Sequence, residues 1–182
     1  MHLFEQTGTE NTGRTIDLAV ERAGERGINS FIVATTSGRT GLEAARLLGR
    51  YLVVVTHSTG FSKPGVQEID PLLLEQIQKL GATVLTATHA FGGVGRAVRR
   101  KFNTFQVDEI IAQTLRIFGE GTKVAVEMAT MAADAGLVPI DKDIVAIAGT
   151  GRGADTAVIL QPAHTQDLFA VKIREIICKP YL

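Results

Sequence analysis

Cysteine is almost missing from this sequence: Cys178 is the only one among 182 residues. A single thiol excludes an internal disulfide and any metal centre built from several thiolates, and it suits a reducing compartment, so a cytoplasmic chain without a metal is expected. Tryptophan is absent and aromatic residues make up only 5%, too few to interleave a stacking set along a nucleic-acid strand. Charge of one sign is lacking as well, because 19 Lys and Arg offset 19 Asp and Glu. No global field then favours nucleic acid or an anionic membrane surface, and any recognition of charge has to be local. Long apolar runs are also absent: none approaches the roughly 20 residues that a bilayer span needs. The residues after Met1 show no basic region followed by an apolar stretch, so no export signal is expected.

What is present is a core. Apolar residues reach 45%, enough for a single α/β domain over residues 1–182. A short strand at Leu3 to Gln6 precedes a helix that Asn11 or Thr12 can cap, with Ile16, Ala19, Val20 and Ala23 on one face and Gly27 at its end. Ser30 to Thr35 is an apolar run of strand length, Gly41 to Gly49 has helical spacing, and "YLVVVT" from Tyr51 is a second strand. The lack of alternation in that strand suits a parallel sheet covered on both faces. Asp70 followed by Pro71 marks a helix start, Gly81 its close, and "ATVLTAT" from Ala82 a third strand. Phe91 to Gly136 divides into three helical pieces; Ile144 to Ala148, "TAVILQ" and "VKIREIIC" then read as strands with little helix between the last two. The expectation is a mostly parallel sheet with helices on both faces and an antiparallel carboxyl end.

Polar residues gather at strand ends. The runs finish in Thr35, Thr36 and Ser37, in Thr56, His57, Ser58 and Thr59, and in Thr86, Thr88 and His89. Parallel strands share a direction, so these ends meet at one edge of the sheet, beside "GTGRGADT" after Ala148. Ligands of such sheets sit outside that edge. In "TSGRT", residues 36–40, hydroxyls of Thr36, Ser37 and Thr40, the charge of Arg39 and the small Gly38 precede a helix whose first amides have no internal partner. That is the chemistry of an anion site, and a small phosphorylated ligand is the expected partner. The alternative is that Ser37 or Thr40 only caps the helix.

Other features stay open between two readings. "GTGRG", Gly149 to Gly153, is followed by a strand, which a dinucleotide fingerprint forbids; it is either a hairpin with Arg152 paired to Asp155 or a lid over an anion. His57 and His89 are ligand contacts, acid/base groups or structural histidines. Glu127 either pairs with Lys123 one turn earlier or faces the crevice. Arg96, Arg99, Arg100 and Lys101 form a solvated face in preference to a nucleic-acid grip. Phe61, in a Gly-rich loop, is a platform for a planar ring or a core residue.

"SFIVATTSGRTGLEAARLL" followed by "YLVVVTHS", and "DKDIVAIAGTGRGADTAVIL" with "KIREIICKP", resembles the carboxyl-terminal α/β domain of pyruvate kinases. With "ENT", "HSTGF", "MAADAG" and "RGADTAV", the whole chain is similar to small stand-alone proteins described as pyruvate kinase C-terminal domain-like. The resemblance implies a phosphate turn at Thr36, Ser37, Gly38, Arg39 and Thr40 and a lid at Gly151, Arg152 and Gly153. It also implies flavin mononucleotide (FMN) as a bound ligand beside His57, Thr59, Gly60, Phe61 and His89. A catalytic barrel does not fit in this length, so no pyruvate kinase reaction is expected. A flavin-dependent enzyme using His57 or His89, and a module that senses sugar phosphates, are the competing functions; self-association is left open.

Overall fold

The computed structural model describes residues 1–181. Its seven strands form one sheet in the order β1-β7-β6-β5-β2-β3-β4. These are β1 (His2–Phe4), β2 (Phe31–Thr35), β3 (Leu52–Thr56), β4 (Thr83–Thr86), β5 (Ile144–Ala148), β6 (Thr156–Gln161) and β7 (Lys172–Pro180). Pairing is parallel throughout β5-β2-β3-β4 and between β1 and β7, whereas β6 runs antiparallel to both neighbours. The first strand is thus His2–Phe4, not Leu3 to Gln6, because its partners are Cys178 to Pro180.

Six α-helices cover the sheet: α1 (Thr12–Arg26), α2 (Arg39–Leu48), α3 (Pro71–Lys79), α4 (Val94–Phe102), α5 (Val107–Arg116) and α6 (Glu120–Asp134). Alternate residues of the strands separate the two faces. Val33, Val54, Val145, Ile147 and Ile159 pack with Ile16, Ala45 and Ile77, which puts α1, α2 and α3 on one side. Ile32, Val53, Val55, Ala146 and Val158 pack with Ala125, Met128, Ala129 and Ala132 of α6 on the other. The third small cluster, Phe91, Ala112 and Val126, seats α5 on the outside of α6.

Local chemistry explains most boundaries. The Asp70 carboxylate accepts from the Leu72 N–H at 2.8 Å and Pro71 supplies a preset φ, so α3 begins where the sequence says it should. Three helices divide the segment from Phe91 to Gly136 because Asn103 takes a left-handed φ of 53° after α4, and Gly119 interrupts α5 from α6.

Three crossovers decide which strand ends become neighbours. From β2 the chain steps outward through α2 to β3 and through α3 to β4, then returns by α4, α5 and α6 to β5 on the opposite flank of β2. The order therefore reverses between β2 and β5, and the loop after β5 packs on α1, on the same face as α2.

Candidate functional site

Thr35, Thr56 and Thr86 are register partners across β2, β3 and β4, so the three polar strand ends share one rim. The Thr56 and Thr86 hydroxyls lie 2.7 Å apart and join two of those ends directly. At the neighbouring switch point, the turn after β2 faces the loop after β5.

The turn is tightly built. The Thr35 hydroxyl points inward and accepts from the Gly38 N–H at 3.1 Å and the Gly41 N–H at 3.3 Å, so Thr35 organises the turn from beneath. Gly38 has φ 99°, and a Cβ there would lie 2.9 Å from the Leu73 Cβ, so both conformation and space require glycine. Ser37 C=O accepts from the Asp70 N–H at 3.1 Å, which ties the turn to the start of α3. The first N–H groups of α2, at Arg39 and Thr40, have no acceptor among the described residues. Thr36 is half-buried, Ser37 and Arg39 are exposed, and Thr40 is buried.

The facing loop, residues 149–155, is held by residues that sequence reasoning missed. Asp155 is fully buried, and its carboxylate accepts from the Thr150 N–H at 3.1 Å and the Thr156 hydroxyl at 2.8 Å. Thr12, at the start of α1, accepts from the Ala154 N–H at 3.0 Å, and the Thr15 hydroxyl donates to Ala154 C=O at 3.2 Å. An Arg152–Asp155 pair does not form, because Asp155 turns inward while Arg152 is exposed. Gly151 is exposed and Gly153 half-buried. The Thr150 hydroxyl oxygen is buried and has no hydrogen-bond partner among the described residues.

The histidines lie on the other side of the sheet's rim. His57 continues the alternation of Val53 and Val55 toward α6, whereas the Ser37 turn opens α2 on the opposite face. His57 and His89 ring centroids are 5.3 Å apart, and Phe61 lies 4.1 Å from the first and 4.8 Å from the second. Arg96 places its guanidinium 4.7 Å from the Phe61 ring centre. Phe61 is therefore already engaged by three neighbours. His57 Nδ1 meets Glu68 Oε2 at 2.8 Å. Thr59 and Gly60 are exposed in the same loop, which closes through Gly60 N–H to Val66 C=O at 2.9 Å.

Burial pushes the His89 imidazole below its ordinary value; the Glu127 carboxylate pulls it up, and His57, Lys123 and Arg96 depress it further. The folded state therefore resists a proton that the unfolded chain accepts near pH 6.5. Unfolded molecules bind more protons in that window, so this stability is complete above it and is lost as pH falls below it. Melting temperature should drop between pH 7 and 5, and His89→Asn should flatten that part of the curve. An unchanged slope in the variant would assign the effect to other groups.

Glu127 is nearly sealed in α6. It pairs with Lys123, the two side chains being 5% and 10% exposed, and its other oxygen accepts from the Phe91 N–H at 2.8 Å. The lysine pairing expected from i,i+4 spacing is present, but Glu127 also anchors the segment that carries His89. Cys178 is buried, and that burial pushes its thiol up to about 11.

Two cavities stand out in the surface. The larger, about 740 Å³, is at the opposite edge, where Arg26, Asp143, Arg174 and Glu175 line it. Four of its charges are paired, Arg26 with Glu175 and Arg174 with Asp143. The smaller, about 320 Å³, adjoins Phe61 and runs between α4, α5 and α6. Among the described residues no helix is long and apolar enough to cross a membrane.

These features define an α/β domain built on a mostly parallel sheet with antiparallel strands at its carboxyl end. The family model described as "Pyruvate kinase, alpha/beta domain" matches residues 14–160. The chain belongs to that family. A pyruvate kinase from Cryptosporidium parvum is similar at 11% identity and a TM-score of 0.42, over 84% of this chain and 23% of that one. A structure of Cryptosporidium parvum pyruvate kinase in complex with ADP gives 12% and 0.39, over 86% and 24%. An NH3-dependent NAD synthetase from Campylobacter jejuni gives 11% and 0.34, over 74% and 54%. The chain spans under a quarter of the length of either pyruvate kinase. At such scores the family model alone carries the assignment.

Proposed function

We propose that the protein is a cytoplasmic binding protein for a phosphorylated planar ligand, with FMN as the ligand that the family resemblance favours. The observation that carries this reading is the pairing at the switch point: two α2 amides without a protein acceptor on one side, an unpartnered buried Thr150 hydroxyl on the other. A phosphate between them would accept from Arg39 and Thr40 N–H, from the Thr36 and Ser37 hydroxyls and from Arg39, while Gly151, Arg152 and Gly153 close over it. The ring would reach across the rim toward His57, Thr59, Gly60, Phe61 and His89. Because Phe61 already has His57, His89 and Arg96 around it, an entering ring must displace one of them. A bound flavin would supply hydride or electron transfer. The chain's own residues hold its phosphate and orient its ring.

A second reading rests on the His57–Glu68 pair, since a carboxylate on Nδ1 fixes the imidazole as an acid/base group does. It makes the same site an enzyme.

Purified apo protein titrated with FMN is expected to quench the flavin's fluorescence saturably. Arg39→Ala should weaken that binding by about 1.5–3 kcal/mol, the scale of a hydrogen bond to a charged group. Riboflavin, which lacks the phosphate, should be insensitive to Arg39→Ala. Absence of saturable quenching, or an equal response of both flavins to the substitution, refutes the reading. Turnover that disappears in His57→Gln would favour the enzyme.

A further inference from the structure

The smaller cavity collects positive charge from three helices. Its walls include Arg96, Arg99 and Arg100 of α4, Arg116 of α5 and Lys123 of α6, against the single carboxylate of Glu109. Arg99 is paired with Glu109, Arg116 with Glu120 and Lys123 with Glu127. Arg96 and Arg100 have no carboxylate partner among the described residues. They stand at i and i+4 on one face of α4, an arrangement that costs the helix stability through like-charge repulsion. An anion placed against that face would relieve it.

The fixed partners matter as much as the free ones. Glu109, Glu120 and Glu127 hold three of the cations in place, so those side chains are ordered before any guest arrives. Glu109 Oε2 is itself buried with no donor, which leaves an acceptor for a ligand hydroxyl or a protonated phosphoryl oxygen. Phe61 and Phe105 add rings to the rim, and Phe91 and Ala112 give the pocket an apolar wall. At about 320 Å³ the space suits a small ligand, near the lower limit of ordinary ligand pockets. The neutral chain offers no extended field that would draw in a polymer.

We propose that the pocket between α4, α5 and α6 binds a phosphoryl anion carrying two or more negative charges, the chemistry shared by inorganic diphosphate and a nucleoside diphosphate. Guanidinium forks from Arg96 and Arg100 match adjacent phosphoryl oxygens in a way that a single ammonium does not. The Ser37 turn takes no part; the pocket shares only Phe61 and Arg96 with the ring position of the flavin reading, and Arg100 belongs to the pocket alone.

Calorimetric titration of the full chain tests it, with inorganic diphosphate and uridine diphosphate as probes. One-to-one binding is expected, weakened at least tenfold in the Arg96→Gln/Arg100→Gln double variant and in Arg100→Gln alone. Arg39→Ala and Lys101→Gln, both outside the pocket wall, should leave it unchanged. Circular dichroism melts of each variant separate lost binding from lost folding, and the exposed Arg100 supplies a mild substitution if the double variant is unstable. Tighter binding of the nucleotide with the same sensitivities identifies a nucleoside diphosphate, and equal binding identifies the free anion. No saturable heat, binding unaltered in Arg100→Gln, loss in Arg39→Ala instead, or affinity that climbs with the length of a single-stranded oligonucleotide would each overturn the proposal.

Discussion

Replacing Glu127 by alanine is expected to destabilise the protein by about 3–5 kcal/mol, the cost of leaving one member of a buried ion pair alone. The substitution strands the Lys123 ammonium in the interior and removes the acceptor of the Phe91 N–H. A denaturant titration reads the loss as a lower midpoint. Changing both partners, Lys123→Met with Glu127→Leu, should recover most of it, because the uncompensated charge is gone. The part not recovered should be about 1 kcal/mol, the worth of the hydrogen bond to Phe91. If Glu127→Ala stays within about 1 kcal/mol of the parent chain, water reaches the pair and the interior there is wetter than the packing implies.

The loop facing the Ser37 turn supplies the second large effect. Gly153 has φ 76°, and a Cβ added there would lie 2.6 Å from the Thr9 Cα and 2.7 Å from the Thr12 hydroxyl. A methyl group thus meets backbone, which cannot swing away as a long side chain would. Gly153→Ala should cost about 2–4 kcal/mol, combining left-handed strain with overpacking. Gly151 has a similar φ of 83° but nothing within 4 Å, so Gly151→Ala carries only the conformational part, about 1 kcal/mol. Thermal melts of the two variants side by side check this. Equal losses would show that the contact with Thr9 and Thr12 is soft.

The strands that face both helical layers were legible in the sequence because burial on two sides leaves continuous apolar runs, as in Leu52–Thr56 and Ile144–Ala148. The common rim of polar ends followed from parallel direction alone. Legibility ended where a contact depends on how a loop folds back. Glu68 reaches His57 across 11 positions, and Arg96 of α4 covers Phe61 in the loop after β3, with no spacing rule to announce either. Asp155 shows the opposite failure: three residues from Arg152, it was an obvious candidate partner, yet its carboxylate is needed inside to satisfy Thr150 and Thr156. Likewise the cationic cavity is visible only once three helices converge, since α4 by itself reads as a solvated basic face. The turn at Ser37 was recognisable, but the inward role of Thr35 was not, because a hydroxyl at a strand end is equally able to face a ligand or its own backbone.

The outer margin of β7 illustrates a different demand on the same sheet. Nine residues long, β7 is covered on that side only where His2, Leu3 and Phe4 meet Cys178, Lys179 and Pro180. The rest of the margin would present unpaired N–H and C=O groups to any extended neighbour, a template for aggregation. Lys172, Arg174 and Glu175 stand along that stretch, and charged side chains on such an edge make docking by another copy costly. That margin is accordingly guarded by a three-residue clasp and a few charged side chains, on the side of the sheet away from β4.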